Sequence, residues 1–312
     1  MKNGKCPWIV VVLALVSTML VACGGGGESP APTTAPLTPT PAATPTSAAT
    51  PTPSASEHVS LGVEYAEQGQ FDEAIAEFEE AIRLDPEHAE AHYNLGVAYA
   101  GRGQLDEAIA EYKKAIEITP DYVEAHVNLG LAYKKQGQLD EAIAEYKKAI
   151  KIAPNFARAH NNLGVAYKEQ GRFDEAIAEF EEAIRLDPND AMPHNNLGIV
   201  YYRQGYLDEA IAEYEEAIRL DPGYAGAHNS LGAAYYEQGK PDEAIAEWEE
   251  AIRLDPDYAT PHRNLGVAYR DLGQSDEAIA EFEAYLRLRP NAPDRATVEQ
   301  DIAELEGSAA EQ

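Results

Sequence analysis

Residues 89–122 read AEAHYNLGVAYAGRGQLDEAIAEYKKAIEITPDY, and the same register returns through most of the chain. Prolines fall at 86, 120, 154, 188, 222, 256 and 290, a constant spacing of 34 residues. Self-similarity at a fixed period of this length marks a repeat solenoid, in which each unit buries its apolar face against its neighbours. With the proline placed at position 32, the units begin at Ala55, Ala89, Val123, Ala157, Ala191, Ala225 and Ala259.

Each unit reads as two helices. In the second unit His92, Leu95, Gly96 and Tyr99, at positions 4, 7, 8 and 11, share one helical face. A glycine at position 8, such as Gly130 or Gly164, weakens a helix by up to about 1 kcal/mol relative to alanine. Its return in every unit therefore predicts a close helix approach at that point. Gly103 and its equivalents at position 15 predict the end of the first helix, and Asp106 and its equivalents at position 18 are expected to cap the second. The second helix presents Ala108, Ile109, Tyr112, Ala115, Ile116 and Ile118, and Pro120 ends it because proline cannot continue the hydrogen-bond ladder.

Leu-Gly at positions 7 and 8, Tyr at 11, Ala at 20, an aromatic at 24, Ala at 27 and Pro at 32 resemble the tetratricopeptide repeat, and the resemblance covers residues 55 to 292. It implies an all-α fold: a right-handed superhelical solenoid of seven 34-residue helix-turn-helix repeats, placed at 57–292, plus a capping helix in 293–312. The chain departs from the family pattern in carrying histidine where tryptophan is frequent at position 4, and Tyr285 in place of alanine in the seventh unit. Val298, Ile302 and Leu305 lie on one face of a helical stretch at 294–306, as expected of a cap, and Gly307 is expected to end it.

Lys2 and Lys5 precede an apolar run from Trp8 to Ala22 that is short for a membrane span, the layout of a secretory signal at 1–22. The run closes on Leu20-Val21-Ala22-Cys23, which resembles the bacterial lipobox and implies cleavage before Cys23 and lipid on its thiol. From Cys23 to residue 56 the chain is rich in Pro, Thr, Ala and Ser without apolar periodicity, a disordered tether. In polyproline II it reaches roughly 100 Å. The expected location is the bacterial cell envelope, lipid-anchored and exported to a periplasmic or extracellular face. The formal charge of -30 is concentrated after residue 56, which argues against a nucleic acid partner. The two cysteines, Cys6 and Cys23, both precede the repeats, so no disulfide or thiolate metal site forms within them.

No nucleophile motif or phosphate loop stands out from the repeat, and Gly101-Arg102-Gly103 lacks the third glycine of a dinucleotide site. The chain is read as a non-enzyme without a cofactor. Seven histidines, from His58 to His262, recur at position 4. Equivalent residues one helix diameter apart, roughly 10 Å, cannot share a zinc ion, so they are read as half-buried packing residues.

The resemblance places positions 2, 5, 6, 9, 12 and 13 on a concave groove. Position 6 is asparagine at Asn94, Asn128, Asn162, Asn196 and Asn264, an array similar to the asparagine ladder in the repeats of O-GlcNAc transferase. Primary amides both donate and accept, so such a row can hold an extended peptide by its backbone, or can bond within the solenoid and order it. Lys134, Lys135, Arg158, Lys168 and Arg203 fall on the same face, beside Leu131, Val165 and Ile199 at position 9. The family's clamp for terminal carboxylates requires asparagine at position 9 and is not expected here. The reading is a membrane-anchored scaffold whose groove takes a protein or an extended, partly acidic peptide. Two alternatives stay open: an assembly factor for a pilus, secretin or outer-membrane complex acting through the convex face, and a binder of cell-wall glycan through tyrosines such as Tyr93, Tyr202 and Tyr236.

Overall fold

A computed structural model describes residues 53–310. The signal, Cys23 and nearly all of the tether lie outside the described residues. Among the described residues every regular element is an α-helix. They form two compact segments. The first ends at Pro120 and holds two hairpins, α1 (Ala55–Glu67) with α2 (Phe71–Leu84), and α3 (Ala89–Gly101) with α4 (Leu105–Ile118). The second starts at Asp121. It holds α5 (Val123–Lys135) with α6 (Leu139–Ile152), α7 (Ala157–Glu169) with α8 (Phe173–Leu186), and α9 (Ala191–Gln204) with α10 (Leu207–Leu220). It continues through α11 (Ala225–Glu237) with α12 (Pro241–Leu254), α13 (Ala259–Asp271) with α14 (Ser275–Leu288), and α15 (Arg295–Ala310). None of the described helices is long and apolar enough to cross a membrane.

The hairpins fall on the 34-residue register. The first helix begins at Ala55, ahead of the boundary expected at residue 57, because Ser54 and Glu57 form a reciprocal capping box. The Ser54 N–H donates to Glu57 Oε2 at 2.6 Å, and the Glu57 N–H donates to Ser54 Oγ at 3.4 Å.

Within each hairpin the two helices meet at the position-8 glycine. A Cβ on Gly164 would stand 2.7 Å from Phe180 Cε1, one on Gly130 2.5 Å from Tyr146 Cε1, and one on Gly232 2.6 Å from Trp248 Nε1. The aromatic at position 24 thus packs directly against bare backbone, which is the close approach predicted from the sequence. Phe78, Tyr112, Tyr146, Phe180, Tyr214, Trp248 and Phe282 all occupy this place and are buried. In the second segment Tyr146 and Phe180 share one core with Val127, Leu163, Leu197 and Val200, so successive hairpins are joined by the same layer that closes each of them. The position-15 glycines answer a different need. Nothing lies within 4 Å of a Cβ there, but φ is between 74° and 83° from Gly69 to Gly273, the left-handed turn that stops the first helix.

The position-4 histidines are half-buried or buried, and they do more than pack. In every repeat Nδ1–H donates to the glutamate 19 residues later: His58 to Glu77 at 2.5 Å, His126 to Glu145 at 2.7 Å, and His262 to Glu281 at 2.6 Å. His92, His160, His194 and His228 make the same bond to Glu111, Glu179, Glu213 and Glu247. The far ring nitrogen of His92, His160 and His228 meets the carbonyl of Pro86, Pro154 and Pro222, at 3.2, 3.0 and 3.3 Å. One ring thereby ties both helices of its hairpin to the loop entering it. Two acceptors flank His160, and only the imidazolium donates to both, so its pKa is raised, chiefly by the Glu179 bond, against the opposing effect of burial. Burial also opposes ionisation of Glu145, but hydrogen bonds from His126 and Lys148 outweigh it and hold its carboxyl below the usual range.

Two local expectations are corrected. Asp106 does not cap α4: the cap is Gln104, with no side-chain cap bond, and the aspartate sits in the first turn, where the positive end of the helix favours it. Three of the equivalent aspartates link repeats instead. Asp140 accepts from Gln170 Nε2 at 2.7 Å, Asp208 accepts from Gln238 Nε2 at 2.8 Å, and Asp72 pairs with Arg102. Nor does Gly307 end the last helix, since α15 runs on to Ala310. No Cβ contact and no positive φ single that glycine out, so continuing costs only the propensity difference. The capping role itself holds: Val298 is buried, and Ile302 and Leu305 pack on the Phe282 core. Tyr285 explains its departure from alanine, because its hydroxyl donates to Asp294 Oδ1 at 2.6 Å while Arg263 Nε donates to Oδ2 at 2.5 Å, clasping α13 and α14 to the start of α15.

Three outcomes follow from this packing. Gly164→Ala is destabilising by on the order of 1 kcal/mol in denaturant melts, because displacing the Phe180 ring costs more than the helix propensity alanine returns. Tyr146→Phe is stabilising by about 1 kcal/mol in the same assay, because Tyr146 Oη is buried without a hydrogen-bond partner among the described residues and phenylalanine already fills the equivalent place at Phe180. Stability from the His160 pair is full below its ordinary pKa of 6.5 and is lost as pH rises through the raised folded value. The stability gap between wild type and His160→Gln, measured across that range, narrows as pH increases.

Candidate peptide-binding groove

The odd-numbered helices α5, α7, α9, α11 and α13 pack in series on one another, as α1 does on α3 in the first segment, with no comparable packing among the even-numbered helices within either segment. The first helices of the second segment therefore stand on the side of tighter spacing, where a groove forms. Position 5 is turned into the seam between successive first helices, so Val127, Asn161 and Asn195 are buried. Positions 6, 9 and 12 are half-buried, and position 13 is exposed at Lys135, Glu169 and Arg203.

The structure brings Asn128, Asn162, Asn196 and Asn264 to equivalent half-buried places on this face, and puts Asn94 on α3 in the first segment. Their bonding differs. Asn196 is tied on both sides: its Nδ2 donates to Asn161 Oδ1 at 3.1 Å, and its Oδ1 accepts from Lys168 Nζ at 2.8 Å. Asn264 Nδ2 donates to Asn229 Oδ1 at 3.1 Å. Asn94 and Asn162 have no side-chain hydrogen-bond partner among the described residues. The position-5 asparagines Asn161 and Asn229 were the missed half of this arrangement. Their signal in the sequence is an amide at position 5 followed 35 residues later by one at position 6.

The cations differ in the same way. Lys134 Nζ donates to Glu169 Oε1 at 3.3 Å. Lys168 is half-buried, with Nζ 5.9 Å from the Phe180 ring centre, and among the described residues its only hydrogen bond is to Asn196. Burial, then the neighbouring Arg203, bring its pKa down to about 8, with Glu169 opposing and Lys134 adding to the shift. Arg158 lays its guanidinium 5.2 Å from the Phe156 ring centre, and its Nε is buried without a partner among the described residues. Arg203 is exposed at the rim, beside Lys168. Between these charges Leu131, Val165 and Ile199 form a half-buried aliphatic floor.

Of the tyrosines considered for sugar stacking, Tyr93 is buried at 2% exposure and offers no platform. Tyr236 donates its hydroxyl to Asp271. No group of three or more metal-ligating side chains occurs among the described residues. His88, four residues before His92, caps α3 by accepting from the Ala91 N–H at 3.3 Å.

Models of the tetratricopeptide repeat match residues 59–123, 111–144, 132–171, 166–205, 202–239, 234–273 and 259–292. Comparison with curated proteins gives no match. Among solved structures, the chain is similar to one from the APC/C hetero-tetramer Cut9-Hcn1, with a TM-score of 0.68 and 18% identity over 80% of this chain. The match spans 51% of that protein, about half its length. It is also similar to Pseudomonas aeruginosa pilF, at a TM-score of 0.59 and 23% identity, covering 68% of this chain and 97% of the other. A tetratricopeptide repeat protein from Parabacteroides merdae gives 0.65 and 17%, covering 81% and 98%. At these identities the likeness is one of fold. The register, the hairpins and the family matches lead to one conclusion: this chain belongs to the tetratricopeptide repeat family.

Proposed function

We propose that the chain is an exported, lipid-anchored scaffold whose α5–α7–α9 face binds an extended, partly acidic peptide segment of a partner protein. The tetratricopeptide repeat is a protein-interaction scaffold, and the site is what this chain adds to it. The observation that carries the reading is an unbalanced one. In a chain of net charge -30, Arg158, Lys168 and Arg203 line one face with no carboxylate partner among the described residues, beside an aliphatic floor. Cations left without a carboxylate favour an anionic segment, while Leu131, Val165 and Ile199 supply contact area. Asn162, whose amide has no partner among the described residues, is suited to bond the backbone of that segment.

Cleavage before Cys23 and lipidation of its thiol are part of the same proposal, and rest on the lipobox resemblance. The tether then holds the groove away from the membrane. The convex-face assembly role is the competing reading, and the charge pattern distinguishes the two because Lys147 and Lys151 lie exposed on α6, away from the groove.

The test is capture from native envelope extract by the wild type, by Arg158→Glu with Lys168→Glu, and by Lys147→Glu with Lys151→Glu. Loss of a partner by about tenfold or more in the first pair, and retention in the second, is the expected result. Retention in the first and loss in the second would move function to the outer face.

A further inference from the structure

Along the groove rim of the second segment, position 12 of one repeat reaches position 13 of the next. Lys134 Nζ reaches Glu169 at 3.3 Å, and Tyr236 reaches Asp271. Tyr202 faces Glu237, and burial together with that carboxylate pushes its phenol up to about 12. At the end of the row Arg270 Nη1 meets Asp301 of α15 at 3.3 Å. Each of these rungs joins a donor to an acid. The rung that starts at Lys168 does not, because Arg203 stands where the others have Glu or Asp.

Lys168 accordingly turns to Asn196 Oδ1, a neutral acceptor, at 2.8 Å. Neither Lys168 nor Arg203 has a carboxylate partner among the described residues. Two like charges on adjacent helices, one of them half-buried, repel each other and lose hydration. That cost is relieved when an anion sits between them, and the relief is available at this rung alone of the row. The neighbouring position-9 side chains, Val165 and Ile199, carry no hydrogen-bonding group. The ground beside the rung thus suits an apolar side chain rather than a charged chain end.

We propose that Lys168 and Arg203 form a receptor for one side-chain carboxylate of the bound peptide, which takes the place of the missing position-13 acid and defines a motif of Asp or Glu flanked by an apolar residue. This rests on the peptide-groove reading and assigns that groove its anchoring contact.

Arg203→Glu supplies the acid from within and, being an exposed substitution that completes the rung, leaves the fold intact. The first readout is the titration of Lys168, followed in the full chain by carbon-13 NMR of its side chain, with acetate as probe. Acetate is expected to raise its midpoint in the wild type. In Arg203→Glu the midpoint is already high without acetate and does not respond. A Lys168 that ignores acetate in the wild type overturns the receptor.

The second readout is binding of extended peptides that differ only in Glu or Gln at one place. About a tenfold preference for Glu, confined to the wild type, is expected. Binding with no such preference, or a preference that survives in Arg203→Glu, overturns the assignment. An acetate response with no peptide bound overturns the groove reading instead, and with it the peptide as source of the carboxylate.

Discussion

The contact on which the structure depends is an aromatic ring laid on a glycine. At position 8 the absence of a Cβ lets the two helices of a hairpin approach until the position-24 ring touches main chain, with the hypothetical Cβ at 2.5–2.7 Å in each repeat. Glycine costs helix propensity at that place, and the loss is offset because a buried Phe, Tyr or Trp side chain removes a large apolar area from water. The same ring then meets the leucine of the following repeat, as Phe180 shares a core with Leu197. Closure of one hairpin and stacking of the next are therefore one event.

Polar contacts refine what the rings establish. The His–Glu bond fixes the two helices of a hairpin, and the Pro carbonyl bonds fix the entering loop at His92, His160 and His228. Contacts across repeats come from Asp140 with Gln170, Asn161 with Asn196, and Lys134 with Glu169. These have little to do with the hairpin itself, so they can vary from repeat to repeat without cost to the fold. Variation at such sites is how a repetitive scaffold acquires one distinctive place.

That place is the α5–α7–α9 face. Its charge is opposite to that of the protein as a whole, and its aliphatic floor lies beside Arg158, Lys168 and Arg203, which have no carboxylate partner among the described residues. The likeness to the Cut9-Hcn1, pilF and Parabacteroides merdae structures carries the architecture and leaves the ligand to be argued from these side chains.

The sequence alone determined the period, the helix pairs, the glycine contacts and the capping helix, because each is set by residues at fixed spacings that steric and helical geometry read locally. The groove face came from the resemblance to the tetratricopeptide repeat, while helix pitch explains why its positions share one side. Bonding on that face was decided only in the tertiary structure. Asn196 and Asn162 are the same residue at the same position, yet one is held by Asn161 and Lys168 and the other has no side-chain hydrogen bond among the described residues. Asp106 reads as a cap but is the second residue of the helix, and its equivalent Asp140 reaches a neighbouring repeat instead. The partner in each case lies about one repeat away in the chain and is brought near only by stacking. A carboxylate, an amide and an ammonium have several possible partners at that distance, and the packed positions of the helices select among them.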